Sequence, residues 1–167
     1  LDEPWFKRIY WSVNGEPLGQ LLVFNQDTSY GVRAYDHPGN VGGQFTPGRE
    51  GYGLFAHGIA EPAAGKRRGM AGPDRWSALV PVRVRALALA SETLFAAGTP
   101  DVVDFHDPWA AIEGRRGGVL CAFSVRDGHR LAQQDLPAPP VYDALAVAGK
   151  CLFLATTDGK LRCFGSR

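Results

Sequence analysis

Two stretches, Ala86-Leu-Ala-Leu-Ala-Ser-Glu-Thr-Leu-Phe-Ala-Ala97 and Ala144-Leu-Ala-Val-Ala-Gly-Lys-Cys-Leu-Phe-Leu-Ala155, align without a gap. In each, two apolar runs flank a two-residue connection, Ser91-Glu92 or Gly149-Lys150, which is the sequence form of a tight hairpin. After each hairpin comes the pattern Gly-x-Leu-x-small-Phe, as Gly118-Val-Leu-Cys-Ala-Phe123 and as Gly159-Lys-Leu-Arg-Cys-Phe164. Gly19-Gln-Leu-Leu-Val-Phe24 is a looser third copy near the start. Side chains alternate across a strand, so Leu120 shares a face with Ala122, and Leu161 with Cys163, and this face is expected to be buried. Arg126-Asp127-Gly128 is a second hairpin signal, leading into a fourth strand from His129 to Gln134, and prolines from Pro137 to Pro140 end the unit. Each unit therefore reads as a four-stranded antiparallel meander, and radial stacking of about four to eight such sheets buries their faces as a β-propeller.

Composition agrees with this class. Gly at 21 and Pro at 12 make the chain rich in turn residues, while helical periodicity is hard to find, so the fold class is all-β. A chain of 167 residues fits one domain. Eighteen basic against seventeen acidic residues leave almost no net field, so neither nucleic acid nor an anionic membrane surface is an expected partner. No apolar run approaches the ~20 residues that a membrane span requires. The chain opens at Leu1 without a charged-then-apolar leader, so any targeting signal is expected outside it. Cys121, Cys151 and Cys163 lack zinc spacing and read as small core residues, although one pair could bridge in an oxidising compartment.

The strand count divides the chain into an irregular unit at 5–82, a unit with an insertion at 83–134 and a partial unit at 141–165. That makes about three sheets, one short of the smallest closed ring. The chain thus reads as a segment of a larger propeller, its partners being the remaining blades of the parent protein or another protein chain. Three stretches interrupt the repeat: Asp36 to Gly51, Gly65 to Gly72, and Thr99 to Gly117 between the second and third strands of the middle unit. Long loops on rigid sheets are where specificity is carried.

Asp104 and His106 are two apart, so in an extended segment both point one way and could share a divalent cation, with Asp107 joining if the chain turns before Pro108. The competing reading is a polar loop whose aspartates bond nearby backbone. Trp5, Tyr10, Trp11 and Tyr30, together with Trp109, are candidate stacking surfaces for sugar rings; aromatic packing between sheets is the alternative. Lys66-Arg67-Arg68 is too short for a nucleic-acid patch. No nucleophile elbow, His-Glu-x-x-His or phosphate-binding Gly-rich loop occurs, so no catalytic residue is assigned.

The hydrophobic hairpin, the Gly-x-Leu-x-small-Phe strand and the Asp-Gly turn resemble the PQQ-like repeat of quinoprotein dehydrogenases and outer-membrane assembly lipoproteins. Leu1 to Trp11, Val82 to Leu89, Leu94 to Asp104 and Pro139 to Ala144 are similar to the C-terminal part of exported PQQ-like propeller proteins of planctomycete-type bacteria. The resemblance implies a periplasmic or extracellular location. Quinone-binding members carry adjacent cysteines, which this chain lacks, so no cofactor is assigned. The expected function is a non-catalytic binding or assembly surface. The alternatives are a carbohydrate-binding module and a fragment of a quinoprotein dehydrogenase. Leu87, Leu89, Leu94, Phe95, Leu120, Phe123, Leu145, Val147, Leu152, Phe153, Leu161 and Phe164 are the expected core.

Overall fold

Both aligned stretches fold as hairpins. In the computed structural model, which describes residues 11–13, 16–19, 21–34, 51–59 and 74–165, Ala90 pairs with Thr93 and Ala148 with Cys151. Gly149 and Lys150 have φ of 56° and 64°, positive at both central residues as a type I′ turn requires, and Ser91 has φ of 49°. This turn twists in the same sense as its flanking strands and so closes them with the least splay.

The first two strands, β1 (Trp11–Val13) and β2 (Glu16–Gly19), form a two-stranded ribbon. The first sheet contains β3 (Leu22–Phe24), β4 (Thr28–Ala34), β5 (Tyr52–Gly58) and β6 (Trp76–Val80). The second contains β7 (Val82–Ala90), β8 (Thr93–Pro100), β9 (Gly118–Ser124) and β10 (Arg130–Leu136). The third contains β11 (Pro140–Ala148), β12 (Cys151–Thr156) and β13 (Leu161–Gly165). Each sheet is an antiparallel meander with its strands in chain order, and no helix occurs among the described residues. The looser copy at Gly19 to Phe24 does not behave as the other two do. It covers the end of β2 and all of β3, the first strand of its sheet, because an alternating apolar pattern does not specify a strand's rank in a meander.

Two apolar layers separate the three sheets. Tyr30, Val32, Leu54 and Ala56 of the first sheet pack against Val82, Leu87, Leu94, Val119, Cys121 and Phe123 of the second. Ala88, Ala97 and Leu120 of the second pack against Leu152 and Leu154 of the third, with Phe95, Leu145 and Phe164 alongside. Strand β9 shows how one sequence serves both layers: its odd positions enter the first and Leu120 enters the second.

Of the expected core, Leu87, Leu94, Leu120, Phe123 and Leu152 are buried, and Leu89, Phe95, Leu145, Phe153 and Phe164 are half-buried. Two expectations fail. Val147 is exposed at the mouth of a groove of about 450 Å³ between the second and third sheets. Leu161 and Cys163 are exposed because they lie on the face of the third sheet turned away from the second, while Arg162 and Phe164 face inward.

Candidate functional site

The longest described departure from the sheets runs from Asp101 to Gly117, between β8 and β9, and its root is buried. The Asp101 amide donates to the Pro81 carbonyl at 3.0 Å. Arg83 Nη2 lies 3.2 Å from Asp101 Oδ1, with the side chains 6% and 4% exposed. Burial pushes the Asp101 carboxyl above its ordinary range, and the Arg83 charge offsets this only in part. Arg85 Nη2 donates to the Ile112 carbonyl at 3.3 Å, tying the loop's far side to β7.

Three arginine–carboxylate pairs brace the outer part. Arg116 binds Asp104, and Arg115 binds both Asp107 and Glu113, reaching Glu113 Oε2 at 2.7 Å. Hydrogen bonds from Arg115 hold the Asp107 carboxyl below its usual value. Main-chain turns complete the loop, including Ala110 N to Asp107 O at 3.2 Å and Glu113 N to Trp109 O at 2.8 Å. Ala110 and Ala111 are buried beneath them.

This loop meets the segment entering β11. A Cβ built on Gly114, whose φ is 80°, would lie 2.3 Å from Pro139 Cγ, so only glycine fits there. Strand β11 then bulges: its register with β12 shifts between Pro140 and Leu145, and Asp143 within the bulge has φ of 54°. Tyr142, the residue before it, is 51% exposed, and partial burial followed by the Asp143 charge raises its pKa. Phe105 is 95% exposed and Trp109 49%, so one exposed and two half-exposed rings lie on these two adjoining segments. Such rings on a scaffold fixed by ion pairs and buried alanines can stack or insert with little loss of conformational freedom.

The candidate ligands Asp104, His106 and Asp107 are all in this loop, but the two carboxylates face arginines. Asp104 Oδ1 also accepts from the His106 amide at 2.9 Å, the bond of a local polar turn. Among the described residues, no group of three or more His, Cys, Asp or Glu side chains gathers as a metal site. Tyr30 is buried, its ring centroid 6.1 Å from that of Trp76, so it has no open face for a ring ligand. Trp11 stands at the start of β1; Trp5 and Tyr10, the loop at 36–50 and the basic stretch Gly65 to Gly72 lie outside the described residues. Trp109 is 49% exposed.

A second polar cluster is invisible in sequence because its members come from two strands, β4 and β5, and from the loop before β6. Asp74 pairs with Arg33, and its Oδ1 lies 3.3 Å from His57 Nδ1. The Arg33 guanidinium sits 3.8 Å over the Phe55 ring. Ser29 stands opposite His57 across β4 and β5, but its Oγ donates to the His57 carbonyl at 3.3 Å rather than to the imidazole. The nucleophile-to-base contact of a serine triad is thus not formed by these residues, and the cluster ties β4 and β5 to the start of β6.

No family model matches the chain, and no curated protein does. Among solved structures, a computationally designed protein, Ika4, is similar over 86% of this chain at a TM-score of 0.45 and 12% identity, and the similar region spans 63% of the designed chain.

Proposed function

We propose that this chain is a non-catalytic segment of a β-propeller of the PQQ-like repeat type, serving as a binding or assembly surface in an exported bacterial protein. One observation carries the reading: repeat-equivalent residues occupy successive layers. Leu87, Leu94 and Phe123 lie between the first and second sheets, and their counterparts Leu145, Leu152 and Phe164 lie between the second and third. Each unit thus presents the same side to the unit before it, which is the condition for stacking around an axis. The binding end is the braced loop with Phe105 and Trp109, beside the β11 bulge with Tyr142. Electron microscopy of the polypeptide as its host makes it tests this. The expected result is a closed ring of like sheets with these loops at one end, and an open stack overturns it.

A second reading, a carbohydrate-binding module, is favoured by the exposed rings, since aromatic faces stack on sugars. Calorimetric titration against a polysaccharide panel tests it, with Trp109→Ala and Phe105→Ala expected to abolish any heat observed. The quinoprotein reading has only the resemblance behind it, and an absorbance band of bound quinone on adding PQQ and calcium would revive it.

A further inference from the structure

The outward face of the third sheet has a counterpart inside the molecule. Alignment of the two hairpins and the strands after them matches Ala88, Phe95, Ala97 and Leu120 of the second sheet with Ala146, Phe153, Ala155 and Leu161 of the third. The first four form one wall of the layer between these sheets, covered by Leu152 and Leu154. The second four are turned the other way. Across β12 and β13, Phe153 pairs with Cys163 and Ala155 with Leu161, so these side chains share one outward face. Nothing described packs on it: Leu120 is 7% exposed and Leu161 is 71% exposed.

From this, and resting on the propeller reading above, we infer that the face bearing Ala146, Phe153, Ala155, Leu161 and Cys163 is a docking surface for a further sheet of the same repeat, carried by the same polypeptide. The partner's chemistry follows from the layer already formed. Its second strand presents Leu-x-Leu or Leu-x-Ala inward, as Leu152 and Leu154 do and as Leu94 and Ala96 do toward the first sheet. Its third strand ends in an inward Phe, in the manner of Phe123 and Phe164.

The size of the face argues for a tethered partner over an independent second copy. Three strands about 4.8 Å apart and about five residues long present roughly 250 Å² of sheet. A stable interface between separate molecules buries about 800 Å² on each side. A covalently joined sheet escapes the loss of translational and rotational freedom that so small a patch cannot offset.

Cys163, the counterpart of Ala122, reports on the face because its thiol is exposed while Cys121 is buried. Iodoacetamide labelling, read at each cysteine by peptide mass spectrometry, is compared between the 167-residue chain and the polypeptide as its host makes it. The Cys151 thiol beside it raises the Cys163 pKa in both, so the comparison is relative: Cys163 is expected to label at least about 100-fold more slowly in the latter than in the former, since reaction then requires the sheets to part. Equal rates overturn the inference. So does protection in the 167-residue chain accompanied by a dimer mass in light scattering, which would make a second copy the occupant. A second measurement uses Leu161→Asp: it should leave the melting of the 167-residue chain unchanged and lower that of the host polypeptide, and no change in the latter also overturns the inference. Failure of the parent reading is separable. A stack that never closes would keep Cys163 protected, whereas a closed ring with a reactive Cys163 would sink only this inference.

Discussion

Gly98 lies directly against the main chain of Arg83: a Cβ built on it would come within 1.9 Å of the Arg83 carbonyl oxygen and 2.6 Å of the carbonyl carbon. The contact sits where β7 bulges, its register with β8 shifting between Val84 and Ala86. Backbone cannot yield as a flexible side chain can, so the bulge and the glycine require each other. Gly98→Ala is expected to cost about 1–3 kcal/mol or more by denaturant titration, as overpacking does. Gly149→Ala, where a Cβ meets nothing within 4 Å, should cost less, its penalty coming from the positive φ alone.

The buried pair Arg83–Asp101 anchors the insertion loop, and losing one partner differs from losing both. Asp101→Leu leaves a buried guanidinium without its carboxylate and should cost about 3–5 kcal/mol. Joint replacement, Arg83→Met with Asp101→Leu, should recover much of that cost, because an apolar pair of similar volume needs no desolvation of charge. Urea melts of the two variants check the order.

Thr99 is buried, and its Oγ1 has no hydrogen-bond partner among the described residues. An unsatisfied buried hydroxyl costs more than an apolar group of the same shape. Thr99→Val is therefore expected to leave the protein as stable or to raise its stability by up to about 1 kcal/mol. A loss above that would show that the hydroxyl is bonded.

Asp158, in the turn between β12 and β13, accepts from Thr156 Oγ1 at 2.5 Å and from Arg162 Nη2 at 3.0 Å. The Thr156 bond first, then the Arg162 and Lys160 charges, hold its pKa below 3.8. A depressed folded-state value stabilises the fold above the unfolded value, and that contribution is lost as pH falls through the folded one. The melting temperature of the natural chain should exceed that of Asp158→Asn at pH 7, and the gap should close as the pH drops below 3.8.

Cys121 is fully enclosed between the first two sheets, and burial pushes its thiol up to about 11. It should resist disulfide reagents at neutral pH in the folded chain and react only in denaturant, because the thiolate is both scarce and inaccessible. Reaction of Cys121 at the rate of Cys163 would place it outside the core.

The hairpins, their two-residue turns and the order of strands were legible in the residues themselves. Apolar alternation, turn chemistry and a repeated pattern act over a few positions, and each was present at Ala86 to Ala97 and at Ala144 to Ala155. The braced loop was visible as an interruption rich in aspartate, but its character was not. That Asp104 and Asp107 meet arginines 12 and 8 residues away, rather than a cation, depends on how the loop folds back. The exposure of Tyr142 was not legible, because it follows from a register shift between Pro140 and Leu145 that lies largely before the aligned stretch beginning at Ala144. The cluster at Asp74 joins residues 41 and 17 positions distant, beyond any local pattern.

Sequence alone determined which residues share a strand face, since that follows from the two-residue period of a β-strand. It did not determine whether a face is covered. Leu120 and Leu161 stand in the same local pattern, yet one is buried beneath Leu152 and Leu154 and the other faces solvent. Burial is a property of what lies opposite, and only the stacking of whole sheets decides that.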